Sequence, residues 1–160
     1  MKWKRERGRA VSLLIAAAAL LVDRAAKIWA LGPLTDAGGS MRGIGGVFDF
    51  TVVRNSGAAF SVLASHPGIV TALSALILFA LGTAVFFGRT LSVSSRACLS
   101  LIWAGGVGNL MDRAFYGAVI DFIRLELFVF PIFNFADICV TVGAAWFAVR
   151  LLRVRSEAFE

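Results

Sequence analysis

The sequence predicts an all-α polytopic membrane protein: four transmembrane helices with a small extracytoplasmic β element. The chain of 160 residues is 59% hydrophobic and 16% charged, with a mean hydropathy of +0.82, whereas a soluble domain has about 25% charged residues. Four apolar segments approach the length of about 20 residues that a spanning helix needs. The net charge of +6 is concentrated at the two ends. We therefore expect residues 1–160 to form one integral membrane domain.

The first segment, about residues 10–31, follows a strongly basic start, as the apolar part of a secretory signal peptide does. It runs into DRAAK at 23–27 and then into more apolar residues, which is a poor cleavage site. We therefore interpret it as an uncleaved first transmembrane helix. Asp23 and Lys27, four residues apart, either form an intrahelical ion pair or support the outer loops and guide the polar portion of a substrate.

The connection over residues 32–68 predicts the β element. Residues 33–46 are rich in glycine, which is typical of a loop with several turns. The stretch VFDFTVV at 47–53 alternates, and the turn formers RNSG at 54–57 and the sequence AAFSVL at 58–63 follow it. This pattern predicts a small hairpin or sheet at the membrane interface. We expect Phe48, Phe50 and Phe60 to anchor it among headgroups or to cover a substrate.

Three more segments complete the predicted bundle, at about residues 69–87, 91–111 and 135–152. The segment 69–87 has no charged residue. Arg96 lies near the start of 91–111, where its side chain can snorkel to the interface. The glycines near the end of that segment allow another helix to approach closely; they are Gly105, Gly106 and Gly108.

Positive charge predicts the orientation of the bundle. The basic N-terminus, the turn at 88–95 with Arg89 and the basic C-terminus should all lie in the cytoplasm, and an even number of spans allows this. The connections 32–68 and 112–133 then lie outside. The basic ends fit contact with anionic lipids better than nucleic-acid binding, because the chain has little polar surface.

Polar residues at the edges of the apolar segments are the candidates for chemistry, because ionisable groups are costly there. Asp121 is a lone acid in an apolar stretch, and Asp137 begins the last segment three residues after Asn134, a plausible N-cap. Asn109, Asp112 and Arg113 share one helical face, although Asp112 can also serve structure alone by pairing with Arg113 or a neighbouring group. Two facing carboxylates split their titrations and can activate water.

Metal and cofactor chemistry are not expected. Cys98 and Cys139 lie apart in apolar surroundings, as small hydrophobic residues do. His66 is the only histidine, and no serine or carboxylate accompanies it in a triad pattern.

The polar motifs, taken in order, resemble those of the bacterial type II (lipoprotein) signal peptidases. DRAAK at 23–27 resembles the family's D-x-x-[TS]-K box, and NSGAAFS at 55–61 its N-x-G-A-A-F segment. GNLMDR at 108–113 and VIDF at 119–122 resemble its G-N-x-x-D-R and V-x-D-F elements. FNFAD at 133–137 resembles its F-N-x-A-D element. One departure is Ala26, where the family usually has Thr or Ser, so a hydroxyl contact is missing.

The resemblance implies a membrane aspartic endopeptidase that removes signal peptides from diacylglyceryl-modified prolipoproteins, cutting just before the lipidated cysteine. Asp121 and Asp137 would be the catalytic pair that activates water. Asn55, Gly57, Asn109, Arg113 and Asn134 would shape the site and hold the substrate, and Asp23, Lys27 and Asp112 would support them. We expect a monomer in the bacterial cytoplasmic membrane, with both termini inside, the site near the outer face and membrane lipids as its surroundings.

Two other functions fit parts of the sequence. A proton-coupled transporter uses buried Asp and Lys as relays, but it would place them near the midplane and along several helices. A scaffold subunit of a membrane complex would use the small residues around Gly105 and Gly106 as its contact, and it would tolerate changes at Asp121 and Asp137.

Overall fold

Four long helices and a three-stranded sheet form the protein. The computed structural model describes residues 2–57 and 66–157. In chain order the elements are α1 (Lys2–Trp29), β1 (Ser40–Ile44), β2 (Phe48–Asn55), α2 (Pro67–Phe87), α3 (Val93–Tyr116), β3 (Val119–Leu125) and α4 (Phe135–Glu157), with a π-helical turn (Ala30–Leu34) extending α1. The predicted combination of four helices with a small β element is present.

Two helices among the described residues are long and apolar enough to cross a bilayer. They are α2, over Pro67–Phe87, and α4, over Phe135–Arg153. α2 exposes large side chains such as Leu76 and Phe79, as a lipid-facing helix does. α1 and α3 carry ionisable residues that lower their hydropathy, so membrane crossing by these two helices stays a prediction.

α3 is the central helix, and it packs against the other three. Glycines allow these close approaches. A Cβ atom would lie 2.3 Å from the Ala136 carbonyl oxygen of α4 if built on Gly105, and 2.5 Å from Leu78 Cδ2 of α2 if built on Gly106. On Gly108 it would lie 2.6 Å from Asp23 Oδ2 of α1. The predicted role of these glycines in helix packing is confirmed.

The helices extend beyond their predicted bounds, and α4 continues to Glu157 rather than ending near residue 152. α1 begins at Lys2 rather than near residue 10, and α3 continues to Tyr116 rather than ending near residue 111. Gly117, at a φ of 72°, closes α3 and donates its N–H to the Arg113 carbonyl. Asp112 and Arg113 therefore lie within the helix, and the prediction that placed them in the outer connection is wrong. Hydropathy marks apolar stretches, whereas a helix continues through charged residues that find partners.

Arg96 does not snorkel to the interface, contrary to the prediction. Its side chain is 1% exposed, and its guanidinium donates to the carbonyl oxygens of Val85 and Gly88 at the end of α2. The last carbonyls of a helix have no partner within the helix. Arg96 therefore satisfies them and ties the end of α2 to α3.

The sheet has the order β1-β2-β3, and both pairs are antiparallel. β1 and β2 form the hairpin, so the glycine-rich stretch supplies a strand that was predicted as loop. Arg54 and Asn55, predicted as a turn, belong to β2. The predicted partner segment at 58–63 lies outside the described residues. The second partner of β2 is β3, which the sequence analysis did not predict.

Aromatic packing attaches the sheet to the end of α1. Phe50 lies edge-on to Trp29 with ring centroids 5.0 Å apart, and Phe122 packs on the same ring at 6.2 Å. Phe48 packs edge-on against Phe50. Phe50 is half-buried and packs against the protein interior, and its contact with headgroups or with a substrate stays a prediction. Phe60 lies outside the described residues. The packing fixes β3, and with it Asp121, relative to the helices.

Candidate active site

Asp121 and Asp137 lie on different elements, and one side chain joins them. Asp121 is on β3, and Asp137 is in the first turn of α4. Asn134 Nδ2 donates to Asp121 Oδ1 at 2.7 Å, while Asn134 Oδ1 accepts the backbone N–H of Asp137 at 3.0 Å. The two predicted residues of the pair are therefore brought together by a single buried carboxamide.

Asn134 also caps α4, as predicted. In return for the bond from Asp137 N–H, Asp137 Oδ2 accepts the backbone N–H of Asn134 at 3.1 Å. This reciprocal arrangement is a capping box with Asn and Asp in place of the commoner residues. The helix start holds the Asp137 carboxylate in one orientation. Capping and contact with the pair are thus combined in one residue.

Two further carboxamides hold the pair. Asn55 Nδ2 donates to Asp121 Oδ2 at 3.1 Å, and Asn55 Oδ1 accepts the N–H of Gly57 at 3.0 Å. Asn109 Nδ2 donates to Asp137 Oδ1 at 2.8 Å, and Asn109 Oδ1 accepts from Asn134 Nδ2 at 3.0 Å. All four carboxylate oxygens of the pair therefore accept a hydrogen bond from a neighbouring group.

Burial changes the protonation of Asp121, whose side chain is 3% exposed. Loss of hydration, and after it the nearby charge of Asp137, raise the pKa of Asp121 from 3.8 to about 6. The hydrogen bonds from Asn55 and Asn134 and the charge of Lys27 oppose this rise. Asp121 therefore holds its proton to a much higher pH than an ordinary aspartic acid does.

Arg113 connects α3 to the segment that follows β2. Its Nη2 donates to the Gly57 carbonyl at 2.7 Å. Its Nε is buried and has no hydrogen-bond partner among the described residues. Arg113 does not form an ion pair with Asp112. Of the two partners considered for Asp112 in the sequence analysis, Arg113 is therefore wrong. Gly57 itself is held between Arg113 and Asn55, and the rest of the motif, residues 58–61, lies outside the described residues.

A buried ionic cluster lies behind the pair, formed by Asp23, Arg24, Lys27 and Asp112. Lys27 Nζ is 3.2 Å from Asp23 Oδ1, as the spacing predicted, and 2.6 Å from Asp112 Oδ2. It also donates to Asn109 Oδ1 at 2.9 Å. Asp112 Oδ2 accepts the N–H of Ile120 as well, so Asp112 ties α3 to β3 directly beside Asp121.

Arg24 belongs to this cluster, and the sequence analysis did not assign it a role. Its guanidinium contacts Asp23 at 2.6 Å and Asp112 at 2.8 Å. The signal in the sequence was a third charged residue between Asp23 and Lys27 in an apolar helix. A lone arginine at that position could equally have faced lipid headgroups, and only the packing of α3 against α1 shows its partners.

An open cleft of about 280 Å³ reaches Asp121. Its lining comes from β2 and the residue that follows it, from β3 and from the segment before α4: Val53, Arg54, Asn55, Ser56, Asp121, Pro131 and Ile132. Within residues 2–57 and 66–157 no group of three or more His, Cys, Asp or Glu side chains is arranged to hold a metal. Cys98 and Cys139 are both buried and unbridged.

Comparison with known proteins agrees with the motifs. A model of the family described as signal peptidase (SPase) II matches residues 15–153. The lipoprotein signal peptidase of Clostridium acetobutylicum is 37% identical over 142 residues, 87% of this chain and 92% of that protein. That of Gloeobacter violaceus is 36% identical over 143 residues, 89% of this chain and 82% of that protein.

A solved structure is similar as well. It is a bacterial membrane enzyme determined by the in meso method at 2.3 Å resolution, and it superposes with a TM-score of 0.81 at 30% identity, covering 92% of this chain and 91% of its own. Motif order, fold and sequence identity agree across most of the length. This chain belongs to the signal peptidase II family.

Proposed function

We propose that this protein is a membrane aspartic endopeptidase that cleaves the signal peptide from diacylglyceryl-modified prolipoproteins, just before the lipidated cysteine. Family membership supports the reaction and the substrate class. One observation supports the aspartic mechanism above all: Asn134 bridges Asp121 and Asp137 through hydrogen bonds of 2.7 and 3.0 Å. A carboxylate pair held in this way can position and activate a water molecule.

The environments of the two carboxyl groups suggest different roles. Asp121 is the more buried, and its pKa of about 6 suits the protonated partner, which polarises the scissile carbonyl and then protonates the leaving amine. Asp137 is half-buried at a helix N-terminus, which suits the ionised partner that removes a proton from the attacking water. After the tetrahedral intermediate collapses, the proton that Asp137 took from water passes to Asp121, which gave its own proton to the amine. The pair then again holds one proton in total, as at the start of the cycle.

The asparagines position the pair in this mechanism. Their Nδ2 groups already donate to the carboxylates, so they orient the catalytic groups before substrate arrives. Arg113, whose buried Nε has no partner among the described residues, is the better candidate to hold a carbonyl of the substrate backbone. Gly57, whose carbonyl accepts from Arg113, shapes the edge of the same site.

The membrane supplies part of the positioning. We propose four spans in the bacterial cytoplasmic membrane, both termini inside, and the sheet and the carboxylate pair near the outer face. A single such domain acts as a monomer. The acyl chains of the substrate stay in the bilayer and fix the depth of the scissile bond. Because the bond is positioned before the reaction begins, the activation barrier of the chemical step is lower.

The two alternatives fit the geometry less well. A proton relay needs groups spaced along a pathway, whereas the ionisable residues here form one neutralised cluster at one end of the bundle. A scaffold would use Gly105 and Gly106 as its contact, but both glycines face helices of this same chain.

The direct test of the substrate class compares two peptides with one purified protein. A prolipoprotein peptide carrying diacylglyceryl-cysteine and the same peptide with unmodified cysteine are incubated with it in detergent or lipid, and products are identified by mass spectrometry. We expect cleavage before the cysteine of the lipidated peptide alone, unaffected by a chelator. Cleavage of neither peptide, or a requirement for metal, contradicts the proposal.

A further inference from the structure

We propose that Arg24 is a positioning residue for the carboxylate pair: it is the cation that balances the buried carboxylates behind the pair and so keeps a single proton on Asp121 and Asp137. This inference rests on the proposed function, because it assigns Arg24 a part in the same catalytic cycle. Arg24 does not touch the pair, and its effect passes through Asp112 and Lys27.

The guanidinium of Arg24 spans two carboxylates and a backbone carbonyl. Nη2 donates to Asp23 Oδ2 at 2.6 Å and to the Gly108 carbonyl at 2.8 Å. Nη1 lies 2.8 Å from Asp112 Oδ1. That contact is an ion pair that does not have the geometry of a hydrogen bond. No group among the described residues donates a hydrogen bond to Asp112 Oδ1. The charge of Arg24 is therefore the main compensation for this buried oxygen.

Lys27 is already shared among three acceptors, so its single charge does not replace that of Arg24. Its Nζ donates to Asn109 Oδ1 at 2.9 Å and forms ion pairs with Asp23 Oδ1 at 3.2 Å and Asp112 Oδ2 at 2.6 Å. The bond to Asn109 is the one that matters for the site. With Arg24 present, each of the two carboxylates is shared between two cations, and Lys27 can keep its hydrogen bond to Asn109.

Asn109 carries this arrangement to the pair. Its Oδ1 accepts from Lys27, and its Nδ2 therefore points to Asp137 Oδ1 at 2.8 Å. The same Oδ1 accepts from Asn134 Nδ2, which also donates to Asp121 Oδ1. The orientation of both carboxamides thus depends on the ammonium of Lys27 remaining on Asn109.

The charges around the pair give Arg24 its second effect. The charged groups at and around the pair come from four elements. They are Asp23, Arg24 and Lys27 from α1, Asp112 and Arg113 from α3, Asp121 from β3 and Asp137 from α4. Arg54 of β2 is exposed at the mouth of the cleft, Arg124 of β3 pairs with Asp49, and α2 has no charged residue. Four carboxylates, counting the pair, face three cations, of which Lys27 is buried and Arg24 and Arg113 are partly buried. The set is therefore neutral when the pair holds one proton.

Removal of Arg24 changes that balance. Neutrality then requires a second proton on the pair, and a doubly protonated pair has no base to activate water. The lost positive charge raises the pKa of Asp121, since a nearby cation favours the ionised form of an acid. The pH range in which the pair holds one proton moves upward.

The test is the pH profile of kcat for cleavage of the diacylglyceryl peptide. For Arg24→Gln we expect the whole profile to move to higher pH by about one unit, because the pair loses a nearby cation that favours its ionised form. KM should stay near the wild-type value. Arg24→Lys should keep the wild-type profile, because it retains the charge. Adding Asp23→Asn to Arg24→Gln restores the charge balance and should return the profile toward wild type.

Controls separate this effect from a loss of structure. Arg42→Gln removes the same charge from an exposed position on β1 and should leave the profile unchanged. If Arg24→Gln does not fold, Asp23→Asn alone serves, and it should move the profile to lower pH. A wild-type profile for Arg24→Gln, or a shift that Asp23→Asn does not reverse, overturns the inference. The proposed function fails separately, if Asp121→Asn or Asp137→Asn cleaves at the wild-type rate.

Discussion

Asn134 shows at the residue scale how one side chain serves both the fold and the proposed chemistry. Its Oδ1 and backbone N–H form the capping box of α4, and its Nδ2 reaches Asp121 on β3. A cap fixes the first turn of a helix, so the residue that begins α4 also sets the position of Asp137 relative to Asp121. Loss of this side chain should therefore affect stability and rate together.

We expect Asn134→Ala to lower kcat at least about 100-fold, because the Asp121 carboxyl group loses an orienting bond and the backbone N–H of Asp137 loses its acceptor. Loss of the cap should also reduce the free energy of unfolding by about 1 kcal/mol. Ser92→Ala is the matched control. Ser92 caps α3 by accepting the Ser95 N–H, far along the helix from the site, so this variant should lose similar stability with little change in kcat. Equal kcat values for the two variants would contradict the assigned role of Asn134.

The raised pKa of Asp121 makes a prediction about stability. Because its pKa of about 6 in the folded protein lies above the ordinary 3.8, the folded state holds this proton more tightly than the unfolded state. Its contribution to stability is complete below pH 3.8 and is lost as pH rises through 6. The Tm of Asp121→Asn should thus rise relative to wild type between pH 4 and 6.5, by the equivalent of roughly 2 kcal/mol.

Asp49→Asn is the control with the opposite sign. Its hydrogen bond from Arg124 lowers the pKa of Asp49, so this carboxylate stabilises the folded state above its ordinary pKa of 3.8 and loses that effect as pH falls further. The Tm of Asp49→Asn should fall relative to that of wild type as pH rises toward 3.8 from below. A pH-independent difference for Asp121→Asn would contradict the raised pKa.

Most of the candidate site could be predicted from the sequence, because lone polar residues in apolar segments are few and the motifs keep their order. Arg24 could not, since its partners Asp23 and Asp112 come together only when α1 packs on α3. Asn134 was predicted as an N-cap and as a site residue, but its contact with Asp121 was not. Its capping role is local and visible in the sequence, whereas its bond to Asp121 depends on where β3 lies.

At the scale of elements, the helices were easier to predict than the sheet. Helices α2 and α4 follow from hydropathy alone. The pairing of β2 with β3 joins Asp49 to Arg124 and Val53 to Asp121, and no local pattern indicates such distant partners. β1 was hidden in a glycine-rich stretch because its main-chain bonds to β2, rather than its side chains, make it a strand.

Helix packing around α3 gives a prediction at this scale. Gly105→Ala places a Cβ atom 2.3 Å from the Ala136 carbonyl, and overpacking of this kind costs about 1–3 kcal/mol. The shift of α4 should also move Asp137, which follows Ala136, so we expect kcat to fall by about 10- to 100-fold. Gly68→Ala is the control. A Cβ atom there meets nothing within 4 Å, so Tm and kcat should remain at wild-type values.

Equal effects of the two alanines on Tm would contradict the close approach of α4 to α3. A fall in Tm for Gly105→Ala without any fall in kcat would show that Asp137 keeps its place when α4 moves.

The whole molecule concentrates its polar contacts at one end of the bundle. The sheet, the carboxylate pair and the ionic cluster adjoin one another, while α2 presents apolar side chains outward. Basic residues flank the other end, which we expect to face the cytoplasm because of the distribution of positive charge. The orientation of the site toward the outside is a prediction about the entire chain rather than about any single helix.

Cysteine labelling can test this orientation, because both native cysteines are buried and should give little background. Gly45→Cys lies in the exposed turn between β1 and β2, and Thr90→Cys lies in the connection between α2 and α3. In intact spheroplasts, a membrane-impermeant maleimide should label the first and not the second. After permeabilisation both should react. Labelling of Thr90→Cys in intact spheroplasts contradicts the topology.

Asp121 and Asp137 are proposed to act together as the catalytic pair. This is tested most directly by measuring kcat for cleavage of a diacylglyceryl-modified prolipoprotein peptide by Asp121→Asn, Asp137→Asn and the double variant. Residues that act as a unit have strongly non-additive effects. We predict that each single variant loses at least about 1,000-fold in kcat, that the double variant is no slower than the singles, and that all three retain the fold. A folded single variant that keeps its rate within about tenfold of wild type would contradict the account.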